Sequence, residues 1–557
     1  MAVFYPSSGR ALMLGALVLA VCPLGQAAPV LAPASGADTL VYEAREGDTL
    51  IGLGERLLAR PQDWRRLAEL NRIDAPRRIP VGTRLRIPVK LLKHVPREGT
   101  VLAAVGEASL QTPGAAQRAV RAGDAVPPGS LVRTAANGYV TVQLADGSVL
   151  RIQADTEARL DAARQYEQAG FFASVWEVLR GRVEALVTHM TGGEPRFQVK
   201  TPQAVLGVRG TEFRVDADAA RGQTRSETLT GAVAVQGGRG ETLMRAGFGT
   251  VTQAGSAPST PRPLPAAPDV SALAPLQERI LVRFQLPAVT HAVAYRGQVA
   301  EDERFQVVRG EVTSATPQLR FADLPDGDYV LRARSIDAQG LESADAIHRF
   351  RLKARPEAPI AAAPAPGSKW RTASVPFSWA AHPQAWRYRL QVATAADFQQ
   401  PLLDRDDLTE TTLDVALPPG DYHWRVATTA SGQDRGPWGD AQRFSVRPQP
   451  AALPPPQVTD DTLAFQMQGE PGQVFELQLG RDPGFAELVA SERTTESRIV
   501  LPKPQEGGTF HVRYRALDPD GFIGPWTAPQ RLALPACVRS GSGDCLQAGN
   551  RFAVSPP

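Results

Sequence analysis

Residues 39–90 carry the pattern that most constrains the fold of this chain. A short alternating segment around Tyr42 predicts a strand, and Gly47-Asp48-Thr49 then breaks that strand and supplies helix-capping side chains. Leucines at helical spacing follow in two groups, and the second group ends at Asn71. Gly82 turns the chain into a closing strand. The predicted order is therefore strand, helix, helix, strand, with both helices able to cover one side of a two-stranded sheet.

Two phrases in this segment are landmarks, Gly47-Asp48-Thr49-Leu50 and, after Leu70-Asn71, Ile79-Pro80-x-Gly82-x-x-Leu85-x-Ile87-Pro88. The segment resembles the LysM module. LysM modules bind polymers that contain N-acetylglucosamine, chiefly peptidoglycan, in a shallow groove between the loop after the first strand and the loop after the second helix. The resemblance implies that the glycan is bound by Gly47, Asp48, Thr49, Leu50, Asn71, Arg72, Ile73 and Asp74.

The chemistry of these loops fits either of two roles. Exposed backbone groups and short polar side chains can hydrogen-bond acetamido groups, while Leu50 and Ile73 contact the apolar faces of the sugars. Asp48, Thr49 and Asn71 are also typical helix-capping residues. Capping and binding are compatible, so both interpretations stay open.

The N-terminus predicts export. The apolar run from Ala11 to Leu24 is too short to span a bilayer, which needs about 20 apolar residues. Small residues then predict cleavage after Ala27 rather than after Ala28, and Cys22 has poor neighbours for lipidation. No later segment is apolar for long enough to cross a membrane, so the mature chain is expected in the periplasm without a transmembrane helix.

Composition argues against several other functions. The 557 residues carry a net charge of only +3, which gives no support to nucleic-acid binding. The seven histidines are scattered without paired spacing, and no nucleophile elbow, phosphate loop or His-Glu-x-x-His motif occurs. Paired carboxylates such as Asp406-Asp407 and Asp518/Asp520 lie in turn-like sequence. We therefore expect that the chain has no enzymatic activity, binds no cofactor and holds no metal ion.

Two cysteines remain after the predicted cleavage, Cys537 and Cys545, on either side of a Gly/Ser-rich loop. In an oxidising compartment such a pair predicts a disulfide, which stabilises the folded chain by about 2.5 kcal/mol in the loop-entropy model. A metal site is the alternative, but it would need further ligands, and the chain has no histidine after His511.

The sequence pattern of residues 96–252 predicts a compact antiparallel β domain. One hairpin is predicted around Asp146-Gly147, between two runs of alternating hydrophobicity. The most specific phrase is Gly207-Val208-Arg209-Gly210-Thr211-Glu212-Phe213, followed by Thr230-Gly231-x-Val233-x-Val235. These phrases resemble the periplasmic FecR domain. Signalling members of that family pass a signal through a transmembrane helix to a cytoplasmic sigma factor, and this chain lacks such a helix.

The C-terminal half repeats itself. Leu324-Pro325-Asp326-Gly327-Asp328-Tyr329 recurs as Leu417-Pro418-Pro419-Gly420-Asp421-Tyr422, and a fainter copy contains Phe510. The spacing suits β-sandwich domains of about 100 residues. The copies resemble fibronectin type III domains, in which a tyrosine after a Leu-Pro-x-Gly turn fixes a corner of the sandwich. Exposed tryptophans such as Trp370 and Trp386 could bind glycans, although tryptophan is more often a core residue.

The predicted fold is mainly all-β and multidomain, with a small α+β (βααβ) LysM module, an antiparallel β FecR-like domain and three β-sandwiches. The predicted spans are 1–27 for the signal peptide, 39–90 for the LysM module, 96–252 for the FecR-like domain, 253–269 for a proline-rich linker, 270–355, 368–447 and 457–535 for the sandwiches, and 536–557 for a tail with the disulfide loop.

The leading functional hypothesis is a non-enzymatic envelope protein that is held to peptidoglycan and that binds or scaffolds another envelope protein. The alternative is a sensory component whose FecR-like domain recognises a ligand or receptor and relays to a separate membrane partner. A neighbouring gene for a membrane kinase, a cyclase or a sigma factor would favour the alternative.

Overall fold

The computed structural model describes residues 39–188, 197–208 and 210–535, together with the backbone of the short strands Val538–Arg539, Cys545–Leu546 and Val554–Ser555. The predicted signal peptide lies outside the described residues. Cys537 and the side chain of Cys545 also lie outside them, so the disulfide stays a prediction. In the described part, no helix is both long enough and apolar enough to span a membrane.

The chain divides into two compact units. Of the described residues, one unit comprises those up to 266 together with 336–344, and the other comprises 267–335 and those from 345 onward. Strands dominate both units, which confirms the predicted fold class.

The first unit begins with the predicted strand–helix–helix–strand module. Strand β1, Thr39–Glu43, pairs antiparallel with β2, Arg84–Pro88. Between them lie helix α1, Leu50–Leu57, and helix α2, Trp64–Asn71. Short 3-10 helices precede α2 and follow β2, at Pro61–Asp63 and Val89–Leu91.

The core of this module is formed by the apolar faces of the two helices and the inner face of the sheet. Its central residues are fully buried: Leu50, Leu53, Leu58, Leu67, Leu85 and Ile87. The spacing of Trp64, Leu67 and Leu70 predicts one shared apolar face of α2, but Leu70 departs from it, because its side chain is 50% exposed. Leu70 lies in the last turn of α2.

The FecR-like part of the first unit is built from strands and one 3-10 helix, Glu167–Ala169. Its strands are Val95–Pro96, Gly99–Val105, Ala108–Gln111, Arg118–Ala119, Ala125–Val126, Leu131–Thr134, Tyr139–Gln143, Val149–Ile152, Glu157–Tyr166, Phe171–Leu186, Phe197–Lys200, Val205–Val208, Glu212–Asp218, Gln223–Thr230, Ala232–Gly237, Gly240–Arg245, Phe248–Gln253 and Arg262–Pro263.

The long strand Phe171–Leu186 organises this part, because it belongs to two sheets. It bends at Gly181, which has φ +85° and where a Cβ would lie 2.6 Å from the carbonyl oxygen of Asp155. This requirement explains why a glycine stands at position 181. The pairing is not purely antiparallel as expected, since the long strand runs parallel to Phe197–Lys200.

The predicted hairpin around Asp146-Gly147 is confirmed. Tyr139–Gln143 pairs antiparallel with Val149–Ile152, and Gly147 takes φ +83° in the turn. The segment predicted as a linker, 253–269, also contributes to this fold, because Arg262–Pro263 pairs with Phe248–Gln253.

The second unit contains three fibronectin III-like sandwiches. The strands of the first are Leu276–Gln277, Val282–Gln285, Ala294–Ala300, Val308–Ser314, Gln318–Phe321, Gly327–Ile336 and Ala346–Leu352. Those of the second are Ala361–Ala363, Lys369–Trp370, Val375–Trp379, Arg387–Ala393, Leu403–Leu408, Thr412–Val415, Gly420–Thr429, Arg435–Trp438 and Gln442–Val446, with a 3-10 helix at Ser431–Gln433. Those of the third are Gln457–Val458, Thr462–Gln466, Val474–Gly480, Leu488–Thr494, Arg498–Pro502, Gly508–Leu517 and Gln530–Leu534, and Val554–Ser555 pairs at its edge.

The predicted tyrosine corners are present. The hydroxyl of Tyr329 donates to the carbonyl of Pro325 at 2.8 Å, and that of Tyr422 donates to Pro418 at 2.7 Å. Phe510 replaces the tyrosine in the third copy and has no hydroxyl to donate.

Candidate functional site

The two loops predicted to bind glycan adjoin in the structure. The first follows β1 and ends where α1 begins at Leu50, and the second follows α2. The N–H of Leu50 donates to the carbonyl of Pro76 at 2.8 Å, which fastens the first loop to the end of the second. The fold therefore brings together segments that are more than twenty residues apart in the sequence.

Asp48 is the centre of a hydrogen-bond network inside the first loop. Its carboxylate accepts from the hydroxyl of Tyr42 at 2.7 Å, from the N–H of Arg45 at 2.8 Å and from the guanidinium of Arg56 at 3.1 Å. Arg56 also donates to the Tyr42 oxygen at 2.7 Å. The Asp48 side chain is 8% exposed, so it serves to shape the loop.

This network shifts two titrations. Burial by itself would raise the pKa of Asp48, but the hydrogen bonds from Tyr42 and Arg45 and the charge of Arg56 outweigh it and hold the pKa below the usual aspartate value. Burial, together with the hydrogen bond to Asp48, raises the pKa of Tyr42. The loop is thus organised around an ionised Asp48 at neutral pH.

Thr49 caps α1. Its hydroxyl oxygen accepts from the N–H of Gly52 at 3.0 Å, as expected of an N-cap residue. Gly47, two residues earlier, is exposed and has φ +82°, a conformation that favours glycine.

The side chain of Asn71 bonds to the backbone of both α2 and β2. Its amide nitrogen donates to the carbonyls of Leu67 and Arg86, each at 2.9 Å, and its amide oxygen accepts from the N–H of Arg86 at 2.6 Å. It does not cap α2. Arg72 takes that position with φ +55°, and the N–H of Ile73 donates to the Ala68 carbonyl at 2.9 Å.

The remaining predicted residues differ in exposure. Leu50 is fully buried, so the expected contact of its side chain with a sugar face is wrong. Ile73 is half-buried, while Arg72 and Asp74 are exposed. The side chains available at the two loops are therefore Arg72, Ile73 and Asp74, next to the exposed backbone of Gly47.

The module also shares its core with the FecR-like part, a feature that sequence reasoning missed. Tyr166 and Phe171 stack with ring centroids 4.4 Å apart and are buried in the core cluster of the LysM-like module. Glu167, at the tip of the same hairpin, forms an ion pair at 3.0 Å with Arg97, which follows the first strand of the FecR-like part. A signal was present in the sequence, because these aromatic residues flank a hairpin tip, where apolar side chains need a partner surface.

The paired aspartates and the tryptophans noted in the sequence form no catalytic or metal-binding arrangement among the described residues. Among the described residues, no group of three or more His, Cys, Asp or Glu side chains is placed to hold a metal ion. Asp406 and Asp407 lie in the strand Leu403–Leu408 instead of a turn. Trp370 is half-buried, and the 54%-exposed Trp386 has the guanidinium carbon of Arg387 4.3 Å from its ring centroid.

Two family models match the chain. The model described as LysM domain matches residues 42–88, and the model described as FecR protein matches residues 130–234. The chain therefore contains a LysM domain and a FecR region, as the sequence phrases predicted. A comparison with curated proteins finds no match.

Three solved structures are similar to parts of the chain. A candidate anti-sigma factor from Parabacteroides distasonis is 20% identical over 24% of this chain and 59% of its own length, with a TM-score of 0.20. This chain thus spans less than two thirds of that protein. The FN1–FN3 domains of chicken CNTN1 are 12% identical over 49% of this chain and 99% of their own, with a TM-score of 0.20. Fibronectin(III)-like modules of Clostridium thermocellum CbhA are 13% identical over 32% of this chain and 93% of theirs, with a TM-score of 0.19.

Proposed function

We propose that this chain is a non-enzymatic protein of the periplasm that binds peptidoglycan through its LysM domain. The observation that carries the proposal is the adjacency of the two loops, joined by the hydrogen bond from Leu50 to Pro76, within the segment that matches the LysM model. Export by cleavage after Ala27 supplies the compartment in which peptidoglycan is found.

The structure supports a division of labour within the site. Asp48, Thr49 and Asn71 fix the shapes of the two loops through the bonds described above. Backbone groups near Gly47 and the side chains of the second loop then contact N-acetylglucosamine units. Ile73 is the apolar residue of this set that can lie against a sugar face, since Leu50 is in the core.

The test is co-sedimentation of the full mature chain with purified peptidoglycan sacculi, with soluble N-acetylglucosamine oligomers as competitor. Ile73→Ser should reduce the pelleted fraction, and the control Leu70→Ser should not, because Leu70 is exposed in the last turn of α2, outside the two loops. Hydrogen exchange of α1 and α2 verifies that both variants stay folded. The assignment would be overturned if the oligomers did not reduce the pelleted fraction of wild type. It would also be overturned if both variants pelleted to the same extent as wild type.

The FecR region and the sandwiches supply the second part of the proposal, binding of another envelope protein. The FecR match also favours a regulatory role, in which this region recognises a ligand or receptor and relays to a separate membrane partner. Cross-linking in intact envelopes, with a photoreactive residue either on the FecR region or on a sandwich, separates the two. Capture only from the sandwiches supports a scaffold, whereas capture of a membrane signalling protein from the FecR region supports regulation.

A further inference from the structure

The LysM domain concentrates positive charge that the rest of the chain lacks. Residues 39–93 contain twelve Arg and Lys against seven Asp and Glu, a net charge of +5, whereas the whole chain has only +3. A neutral N-acetylglucosamine polymer does not require such an excess. The surplus therefore points to a ligand that carries negative charge beside the sugar.

The charge is most concentrated at the second loop. Arg72 is its first residue, and Arg77 and Arg78 follow in a turn in which the N–H of Arg78 donates to the carbonyl of Ala75 at 3.0 Å. Arg86 is brought beside the loop because its backbone bonds to the Asn71 side chain. We call these four residues, Arg72, Arg77, Arg78 and Arg86, the loop arginines.

All four loop arginines are exposed, and within residues 39–188 none of them forms an ion pair with a carboxylate. Other arginines of the domain differ, because Arg56 pairs with Asp48, and Arg60 pairs with Asp63. Two acidic residues, Glu69 and Asp74, are nearby in sequence, so the loop region keeps a positive balance after both are counted.

We propose that the loop arginines bind the carboxylates of the peptide stems of peptidoglycan while the adjoining loops hold the glycan. This inference rests on the proposed function and names the second chemical group that the same site recognises. Guanidinium groups suit this role, since their planar donors match the two oxygens of a carboxylate. Stems leave the glycan strand at regular intervals, so a positive surface next to the sugar-binding loops meets them without a change in the fold.

The test compares two charge-matched double variants of the full chain. Arg77→Gln/Arg78→Gln removes two loop arginines. Arg65→Gln/Arg66→Gln removes the same charge from the first turn of α2, at the other end of the helix, where it should have little effect. We expect the first variant to bind sacculi about fivefold more weakly at low salt, since each exposed charge pair contributes little, and the deficit should vanish at high salt.

The ligand supplies the remaining controls. Sacculi whose carboxylates have been converted to amides should bind wild type and Arg77→Gln/Arg78→Gln with equal affinity. N-acetylglucosamine oligomers, which carry no carboxylate, should also bind both proteins with equal affinity. Glycan strands stripped of stems retain only the lactyl carboxylate, and an undiminished fivefold difference on them would overturn the assignment to stems. Equal weakening by both double variants would also overturn it. Failure of wild type to bind either sacculi or oligomers would instead remove the proposed function itself.

Discussion

Asn71 pairs with Arg86 as a neighbouring strand would. Its side-chain amide both donates to the carbonyl of Arg86 and accepts from its N–H, at 2.9 and 2.6 Å, on the edge of β2 that faces away from β1. The same side chain donates to Leu67 in α2. One residue therefore ties the end of the second helix to the sheet and fixes where the second loop begins.

Replacing Asn71 with Ala should destabilise the LysM domain by about 2 kcal/mol, because three hydrogen bonds of about 1 kcal/mol each are lost and water partly replaces them. Faster hydrogen exchange of β2 and α2 in the full chain measures the effect. Arg72→Ala is the control, since its side chain has no ion-pair partner among residues 39–188. Unchanged exchange in Asn71→Ala would show that the clamp does not hold the sheet.

Acid should loosen the first loop. The folded pKa of Asp48 lies below that of a free aspartate, so its network stabilises the domain above about pH 3.9 and loses this contribution as the pH falls through the folded pKa. After correction for intrinsic rates, hydrogen exchange of residues 42–57 should accelerate between pH 5 and pH 3. Asp48→Asn should show a smaller acceleration, and an equal one would contradict the role of this carboxylate.

Phe171 and Phe172 are adjacent but serve different cores. Phe171 is buried in the cluster of the LysM domain, and Phe172 is buried in the core of the FecR region. Phe171→Ala should destabilise the LysM domain by about 3 kcal/mol, as expected for truncation of a buried phenylalanine. Hydrogen exchange should then accelerate in α1 and α2 for Phe171→Ala, and in the FecR strands for Phe172→Ala. The same pattern for both variants would argue against a core shared with the hairpin.

The sequence predicted local structure well because its signals are local. The capping of α1 by Thr49, the turn at Gly147 and the hydroxyl bonds of Tyr329 and Tyr422 all depend on residues close in the chain. The role of Asn71 was not predictable in the same way, because its partner Arg86 is fifteen residues away and presents only backbone atoms. The burial of Tyr166 and Phe171 likewise depends on a surface formed by another part of the chain.

The contact between the second and third sandwiches was also not predictable from local sequence. Asp518 was expected in a solvated turn, yet it is 8% exposed and binds the 6%-exposed Arg371 of the preceding sandwich at 3.0 Å. Gln473 donates to the same carboxylate at 2.6 Å, and Arg371 also donates to the Pro448 carbonyl. The second and third sandwiches are therefore joined by a buried ion pair as well as by the proline-rich segment 448–456.

Removing one partner of the Arg371–Asp518 ion pair should destabilise the folded chain. Asp518→Leu should destabilise the junction by about 3 kcal/mol, because the buried Arg371 loses its nearer carboxylate and retains Glu470 at 3.6 Å, whereas Arg371→Met/Asp518→Leu should recover much of the loss. Denaturant unfolding of wild type, Arg371→Met, Asp518→Leu and the double variant gives a double-mutant cycle that measures the coupling. Additive effects of the two single substitutions would show that the ion pair does not join the sandwiches.

The most direct test of peptidoglycan binding is a hydrogen-exchange footprint of the full chain with soluble peptidoglycan fragments. Exchange should slow in residues 47–51 and 71–78, where the two loops adjoin, and stay unchanged in the three sandwiches. Protection elsewhere with no change in these two segments, or no protection at saturating fragment, would contradict peptidoglycan binding through the LysM domain.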